Sequence, residues 1–396
     1  MENKLKVAVF NTQPPHLYFG GVERRIVETA KSLANEVDMT VYSGTKKGFN
    51  KATVINGTTF VPCFSTDTLY PLDNWIFNRS LSRMVDSIKA DVYEAHTVSG
   101  YKFLNVLKKR KISKPFIQTI HGVLADEYVQ LAKSVSPSLR MKLSNVFMRH
   151  LAKIEKDAAR EATLIVTVSR YSAQRMVQLY AVDEKKIRIV PNGVDLQRFK
   201  PTKYYENVKD RICGKNKHLI LFVGNLIPRK GLHFLIEAAK YVIKESKETK
   251  FVVVGDGPLK NNLISHSKEQ GVSDKFVFLG GVPESMLPQL YNCADVFVSP
   301  SIQEGQGITL LEAQSTAKPV VAFNVSAINE VVKHDETGLL VKPDSYELAK
   351  AISLLLSNKS LREKMGRFGR KFVIQNFSWD ICAQKMFKVY SEAAEL

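Results

Sequence analysis

The 396-residue chain predicts an α/β fold built as two doubly wound domains, and three observations carry that prediction. Apolar runs at Lys6–Asn11, Met39–Tyr42, Asp91–Ala95, Phe116–Ile120, Leu164–Ser169 and Ile187–Pro191 alternate with stretches of helical periodicity. A fresh alternation of the same kind begins at His218–Gly224. Between the two, Val190-Pro191-Asn192-Gly193-Val194-Asp195 and the polar, lysine-rich residues Gln197 to Lys217 have the composition of an interdomain linker. The boundary then falls at Asp195, with a first domain over 1–195 and a second over 196–377.

Composition supports two cores, with 44% hydrophobic and 24% charged residues and no low-complexity stretch. The apolar run Val7 to Phe10 is too short for a signal-peptide core, and no stretch approaches the length that spans a bilayer. A cytoplasmic protein is expected, or one peripheral on the inner face of a membrane. Cys63, Cys213, Cys293 and Cys382 lie far apart and match neither metal-ligand spacing nor a redox pair, so reduced structural thiols are expected. The eight histidines form no cluster, and no protein-bound metal is expected. The formal charge of +18 is uneven, since residues 1–200 carry 31 Lys and Arg against 18 Asp and Glu. Such a surface attracts phosphates, anionic lipid or nucleic acid. The nucleic-acid reading lacks any aromatic-interleaved basic motif or reader module, so no nucleic-acid partner is expected.

Ligands of parallel sheets bind beyond the carboxyl ends of the strands, and three features of the first domain lie there. The first strand runs into Pro14–Arg24, where Gly20-Gly21 lets backbone approach a ligand closely or simply makes a tight turn. Val22, Ile26, Val27, Ala30 and Leu33 then share one helix face. His121 follows the Phe116–Ile120 strand and precedes Gly122, at the mouth of the crevice. There an imidazole can hydrogen-bond a hydroxyl or a developing charge, unless it is a satisfied histidine at a domain seam. His96 is a second candidate of the same kind. Tyr101–Lys111 and Leu139–Lys153 combine apolar faces with Lys and Arg, as ordinary surface helices do and as faces docking on anionic lipid headgroups do.

In the second domain the first strand runs through Asn225-Leu226-Ile227-Pro228-Arg229-Lys230-Gly231 into a helix starting near Leu232. Lys230, with Arg229, aims cations at the crevice mouth, or sits as a solvated helix-start charge. Strands at Phe251–Gly255 and Lys275–Gly280 end in glycine turns, the second leading to Val282. The stretch Pro300 to Pro319 follows a buried strand, with Gly305 and Gly307 before a helix marked by Ile308, Leu310, Leu311, Ala313 and Ala317. Unpaired amides at such a helix start can hold a phosphate. Glu304 lies on the turn, and Glu312 lies roughly 7–8 Å inside the helix, within reach of the vicinal hydroxyls of a ribose if the turn holds a diphosphate. Alone, Glu312 reads equally as a solvated helix residue and Glu304 as a favourable charge near a helix start.

The run E-G-x-G-[IL]-x-L-x-E-A from Glu304 to Ala313, with Pro191–Asp195 (PNGVD), the Gly20-Gly21 loop, Lys230-Gly231 and Thr337–Val341, resembles the retaining glycosyltransferases of family 4, or glycosyl transferases group 1. The resemblance implies the GT-B fold, two Rossmann-like domains facing across a cleft, with the C-terminal helix 378–396 crossing back onto the first. It implies a metal-independent hexosyltransferase, moving sugar from a nucleotide diphosphate sugar (a UDP- or GDP-sugar) to an acceptor hydroxyl with retention and no bound cofactor. The acceptor would be a glycan, lipid-linked or membrane-associated, near an anionic membrane surface. His121, Glu304 and Lys230 would be catalytic; Gly20, Gly21, Asn225, Arg229, Lys230, Val282, Gln306, Gly307, Ile308 and Glu312 would bind the sugar nucleotide. Two positions depart from the pattern. Asn225 replaces an arginine for which Arg229 is the substitute at hand, and Gln306 stands where an aromatic is common. These departures keep open a catalytically silent GT-B scaffold acting as an interaction partner.

Overall fold

The computed structural model describes residues 4–18, 20–66, 72–132, 139–202, 205–214 and 218–396. The chain divides into two compact units, Met1–Asn192 with Trp379–Leu396, and Gly193–Ser378.

The first unit carries strands β1 (Leu5–Phe10), β2 (Val37–Gly44), β3 (Thr53–Ile55), β4 (Thr58–Cys63), β5 (Val92–His96), β6 (Phe116–Ile120), β7 (Leu164–Thr167) and β8 (Ile187–Ile189). Among the described residues they form one sheet in the order β3-β4-β2-β1-β5-β6-β7-β8. All pairs are parallel except β3 with β4. The apolar runs of the sequence correspond to β1, β2 and β5 to β8, with ends shifted by up to a few residues. The hairpin of exposed β3 and partly buried β4 was not anticipated. Its signal was Asn56-Gly57, a pair with φ of 49° and 80° that closes a two-residue turn.

The helix Trp379–Glu395 belongs to this unit and buries Trp379, Ala383, Met386, Val389 and Tyr390 in its core. The helix Tyr101–Lys109 buries Phe103, Leu104 and Leu107. Its apolar face therefore serves the core, which corrects the reading of this segment as an exposed lipid-docking stripe. Helix Leu139–Glu161 differs, with Val146 68% and Phe147 50% exposed beside exposed Arg149, His150 and Lys153. The side chains of 139–145 in that segment lie outside the described residues.

The second unit carries β9 (His218–Val223), β10 (Thr249–Val254), β11 (Phe276–Gly280), β12 (Val296–Ser299), β13 (Val320–Phe323) and β14 (Gly338–Val341). These form an all-parallel sheet in the order β11-β10-β9-β12-β13-β14. Strands buried on both faces need helices on both sides, and the two apolar clusters of this unit lie either side of the sheet. The linker reading of Gln197 to Lys217 is corrected here. Phe199 and Cys213 are buried in one of those clusters, a helix forms over Glu206–Cys213, and Arg370 donates to the carbonyls of Leu196 and Phe199.

In each sheet the order of connection reverses once beside the first strand, between β1 and β5 in one and between β9 and β12 in the other. A crevice opens beyond the carboxyl ends of the strands at such a switch point.

Candidate active site

The switch point of the second unit brings together the turns after β9 and β12, which lie some 75 residues apart in the chain. Lys230 ends the short 3₁₀ turn Pro228–Lys230, and Gly231 follows with φ of 63°. A Cβ there would lie 2.0 Å from the Pro300 carbonyl oxygen, so only glycine lets the two turns meet this closely. The Ile302 N–H donates to the Arg229 carbonyl at 2.9 Å and locks them.

Glu304 is the centre of this meeting and is 5% exposed. The Lys230 ammonium and the Ser301 hydroxyl both donate to its Oε1, the latter at 2.8 Å. Arg229 Nη1 lies 3.4 Å from Oε2 and 3.2 Å from the Gln303 carbonyl oxygen, and the Glu304 N–H donates to Ser326 Oγ at 2.9 Å. Burial pushes this carboxyl up, but Lys230 and then Arg229 outweigh it and hold it below its ordinary range. A buried carboxylate under two cations is thus fixed in its ionised form.

Gly307 adopts φ of 87° and starts the helix Ile308–Ser315, with no side chain capping its first amides. The helix ends before Ala317, which takes a left-handed φ of 56°, so Ala317 is not a helix residue as its spacing suggested. Glu312 is 3% exposed and its Oε2 accepts from the Tyr291 hydroxyl at 2.7 Å, which removes the solvated-helix alternative. Gln306 is buried, Val282 half-buried and Asn225 exposed. Arg229, Lys230, Glu304, Gln306, Gly307, Ile308 and Glu312 therefore all lie on or beside the two turns. Asn225 begins the loop between β9 and Lys230 and Val282 follows β11, the latter not drawn into the ion cluster.

In the first unit, Gly20 and Gly21 are exposed and open the helix Gly21–Ser32 without a side-chain cap. His121 follows β6 and is half-buried, and its Nε2 lies 2.9 Å from His96 Nδ1, at the end of β5. Burial, then His96 and then Arg25, hold the His121 imidazole well below its ordinary pKa; burial and then Arg25 hold His96 down to about 3. Both rings are neutral near pH 7. The two histidines flagged separately in the sequence are thus one hydrogen-bonded pair.

Sequence reasoning missed what stands behind that pair. Glu94 on β5 is buried, with its two oxygens accepting from Thr119 at 2.6 Å and from Tyr390. Arg25, also buried, donates to the Val190 carbonyl at 2.8 Å and to Asn192 Oδ1 at 3.2 Å. The available signal was charge out of place, an acid inside the strand VYEAH and an arginine on the buried helix face with Ile26, Thr29 and Ala30. The four cysteines are free and buried, which pushes Cys63 up to about 12 and the others to about 11, leaving inert thiols. Among the described residues no cluster of His, Cys, Asp and Glu is placed to hold a metal ion, and no helix is long and apolar enough to cross a membrane.

Two doubly wound sheets, each with a glycine turn opening a helix at its switch point, define a two-domain α/β protein of the kind that binds nucleotides. Residues 19–198 match the model of Glycosyltransferase Family 4, and residues 206–372 match that of Glycosyl transferases group 1. The chain belongs to this glycosyltransferase family, with the GT-B fold. It is 29% identical over 313 residues to an uncharacterized glycosyltransferase of Methanocaldococcus jannaschii, covering 78% of this chain and 77% of the relative. It is 30% identical over 269 residues to the UDP-Gal:alpha-D-GlcNAc-diphosphoundecaprenol alpha-1,3-galactosyltransferase of Escherichia coli, covering 66% of this chain and 65% of that relative, just under two thirds of its length. Among solved structures, Anabaena HepE in complex with UDP-glucose superposes with a TM-score of 0.78 at 18% identity, over 98% of this chain and all of that one.

Proposed function

We propose that the protein transfers a hexosyl unit from a UDP- or GDP-sugar to an acceptor hydroxyl, with retention at the anomeric carbon and without a metal ion. The second unit would hold the sugar nucleotide and the first the acceptor. The observation that carries this reading is the pair of cations, Lys230 and Arg229, gathered on Glu304 beside the uncapped amides of the Ile308–Ser315 helix. A departing nucleoside diphosphate gains charge on its phosphate oxygens, and preorganised cations and amides stabilise that charge.

In this reading the anomeric C–O bond to phosphate breaks as the acceptor oxygen adds to the same face, and the leaving phosphate oxygen takes the acceptor proton. Neither Glu304 nor His121 forms a covalent bond. Glu304 orients the sugar and balances charge on it, His121 holds a sugar hydroxyl, and Glu312 receives the ribose hydroxyls. The Escherichia coli relative, named for an undecaprenol-linked acceptor, supports a lipid-linked glycan as acceptor here. Exposed Val146 and Phe147 beside Arg149 and Lys153 support attachment to an anionic inner-membrane face.

Calorimetric titration with UDP, GDP and ADP tests the nucleotide site. One of them binds the native protein, and Glu312→Ala loses it by about ten-fold or more, the equivalent of one charge-assisted hydrogen bond. His121→Ala leaves nucleotide affinity unchanged and depresses transfer. Native transfer rates in both variants would overturn the site assignment.

A further inference from the structure

Strands β5 and β6 are neighbours and parallel, with His96 opposite Thr119. Side chains two apart share a face of a strand, so Glu94 and His96 stand together on β5, and Thr119 and His121 stand together at the end of β6. Four groups from two strands therefore form one file. His121 Nε2 lies 2.9 Å from His96 Nδ1, His96 Nε2 is buried without a hydrogen bond among the described residues at 3.3 Å from Glu94 Oε1, and Thr119 donates to that same oxygen at 2.6 Å. Tyr390, from the last helix, donates to Glu94 Oε2. His121 Nδ1 makes no hydrogen bond among the described residues.

We infer that Glu94 and His96 are positioning residues that fix His121 as the tautomer protonated on Nε2, leaving Nδ1 bare to accept a hydrogen bond from a substrate hydroxyl. This rests on the proposed contact of His121 with the sugar. Of the side chains lining the small cavity behind the file, Arg25 and Glu94 are the two that carry charge. Burial holds Glu94 above its ordinary value, and the bonds from Thr119 and Tyr390 with the charge of Arg25 limit that rise by favouring the carboxylate. Among the described residues Arg25 makes no direct ion pair with Glu94, but its buried positive charge lines the same cavity and favours the carboxylate form. A carboxylate repels a bare ring nitrogen and attracts an N–H, so the His96 proton sits on Nε2 and Nδ1 becomes an acceptor. One proton lies between two neutral rings, and it therefore belongs to His121 Nε2. The remaining lone pair of His121 is on Nδ1. The groups facing the two rings are thus Glu94, Arg25, Tyr390 and Thr119, and of these the carboxylate sets the direction of the chain.

The test uses the full chain with ¹⁵N-labelled histidine, whose long-range proton–nitrogen spectra report which ring nitrogen carries hydrogen; His121→Ala assigns the signals. The native protein shows His121 protonated on Nε2. Glu94→Gln, equal in size but uncharged, shifts the population toward the Nδ1–H form. In steady-state transfer, Glu94→Gln and His96→Leu lower kcat by about ten-fold, the worth of one directed hydrogen bond, while the nucleotide Kd stays unchanged. His96→Asn, whose amide oxygen stands near the place of Nδ1, recovers most of the rate, which a merely structural role would not allow. If His96→Leu does not fold, Glu94→Gln carries the test. A native His121 protonated on Nδ1, or spectra unchanged in Glu94→Gln, overturns the inference even if transfer is observed. If no nucleotide sugar is turned over, the proposed function fails and the spectra alone decide the tautomer.

Discussion

Glu304 holds its charge among Lys230, Arg229 and Ser301, so a diphosphate entering the turn meets cations that already have a partner. Removing one should weaken nucleotide binding without abolishing it. Lys230→Ala is expected to lower affinity for the bound nucleotide by about 1.5–3 kcal/mol, read by calorimetry. His96 and His121 make a second residue-scale prediction, because burial keeps both neutral below the ordinary 6.5. As pH falls through 6.5 the unfolded chain binds protons that the native rings refuse, so stability is full above 6.5 and declines toward His96's value near 3. Each ring contributes a slope of at most about 1.4 kcal/mol per pH unit, and His96→Asn should make urea unfolding less pH-dependent between pH 6 and 4. At this scale the sequence was legible where the site is local. Glu304, Gly307 and Glu312 belong to one strand-turn-helix run, whereas Glu94 meets Tyr390 across 296 residues and no local pattern announces the pairing.

The turns after β9 and β12 depend on backbone that only glycine permits. Gly231→Ala is expected to destabilise the second unit by about 1–3 kcal/mol in chemical denaturation, since a Cβ at φ of 63° would also strike the Pro300 carbonyl. The helix Leu139–Glu161 carries a different strain. Buried Glu155 accepts from the Leu124 N–H at 3.0 Å and the Tyr180 hydroxyl at 2.6 Å, and burial raises it to about 8. The native state keeps a proton that the unfolded chain loses above 4.5, so this contribution is present in full below 4.5 and lost as pH rises through 8. Glu155→Gln should hold its melting temperature between pH 5 and 8.5 better than the native protein does. Elements rich in apolar residues were readable because buried parallel strands need continuous runs. The β3–β4 hairpin and the helix Glu206–Cys213 were not, because both are short, the hairpin fixed by its turn and the helix by the core it covers.

The two units are unequal in how the chain builds them. Gly193–Ser378 is continuous, whereas the other unit is closed by Trp379–Leu396. Residues 193–378 expressed alone are expected to unfold cooperatively and bind the nucleotide, while 1–192 alone should lack cooperative unfolding, because it exposes the core that Met386, Val389 and Tyr390 cover. Circular dichroism melts of the two fragments check both. The sequence located a break near 190–195, but composition alone could not show that residues beyond it were already part of the second core. Discontinuity also sets an order of events on the ribosome. At roughly 5–20 residues per second, about 10 to 40 s separate emergence of Asn192 from that of Trp379, so one half of the nascent chain can mature while the other waits. Tyr390, the clasp on Glu94, is translated only after the whole of Gly193–Ser378. A chain that terminates early never receives it, so the histidine file takes its final form only in a product that has been read through to its closing helix.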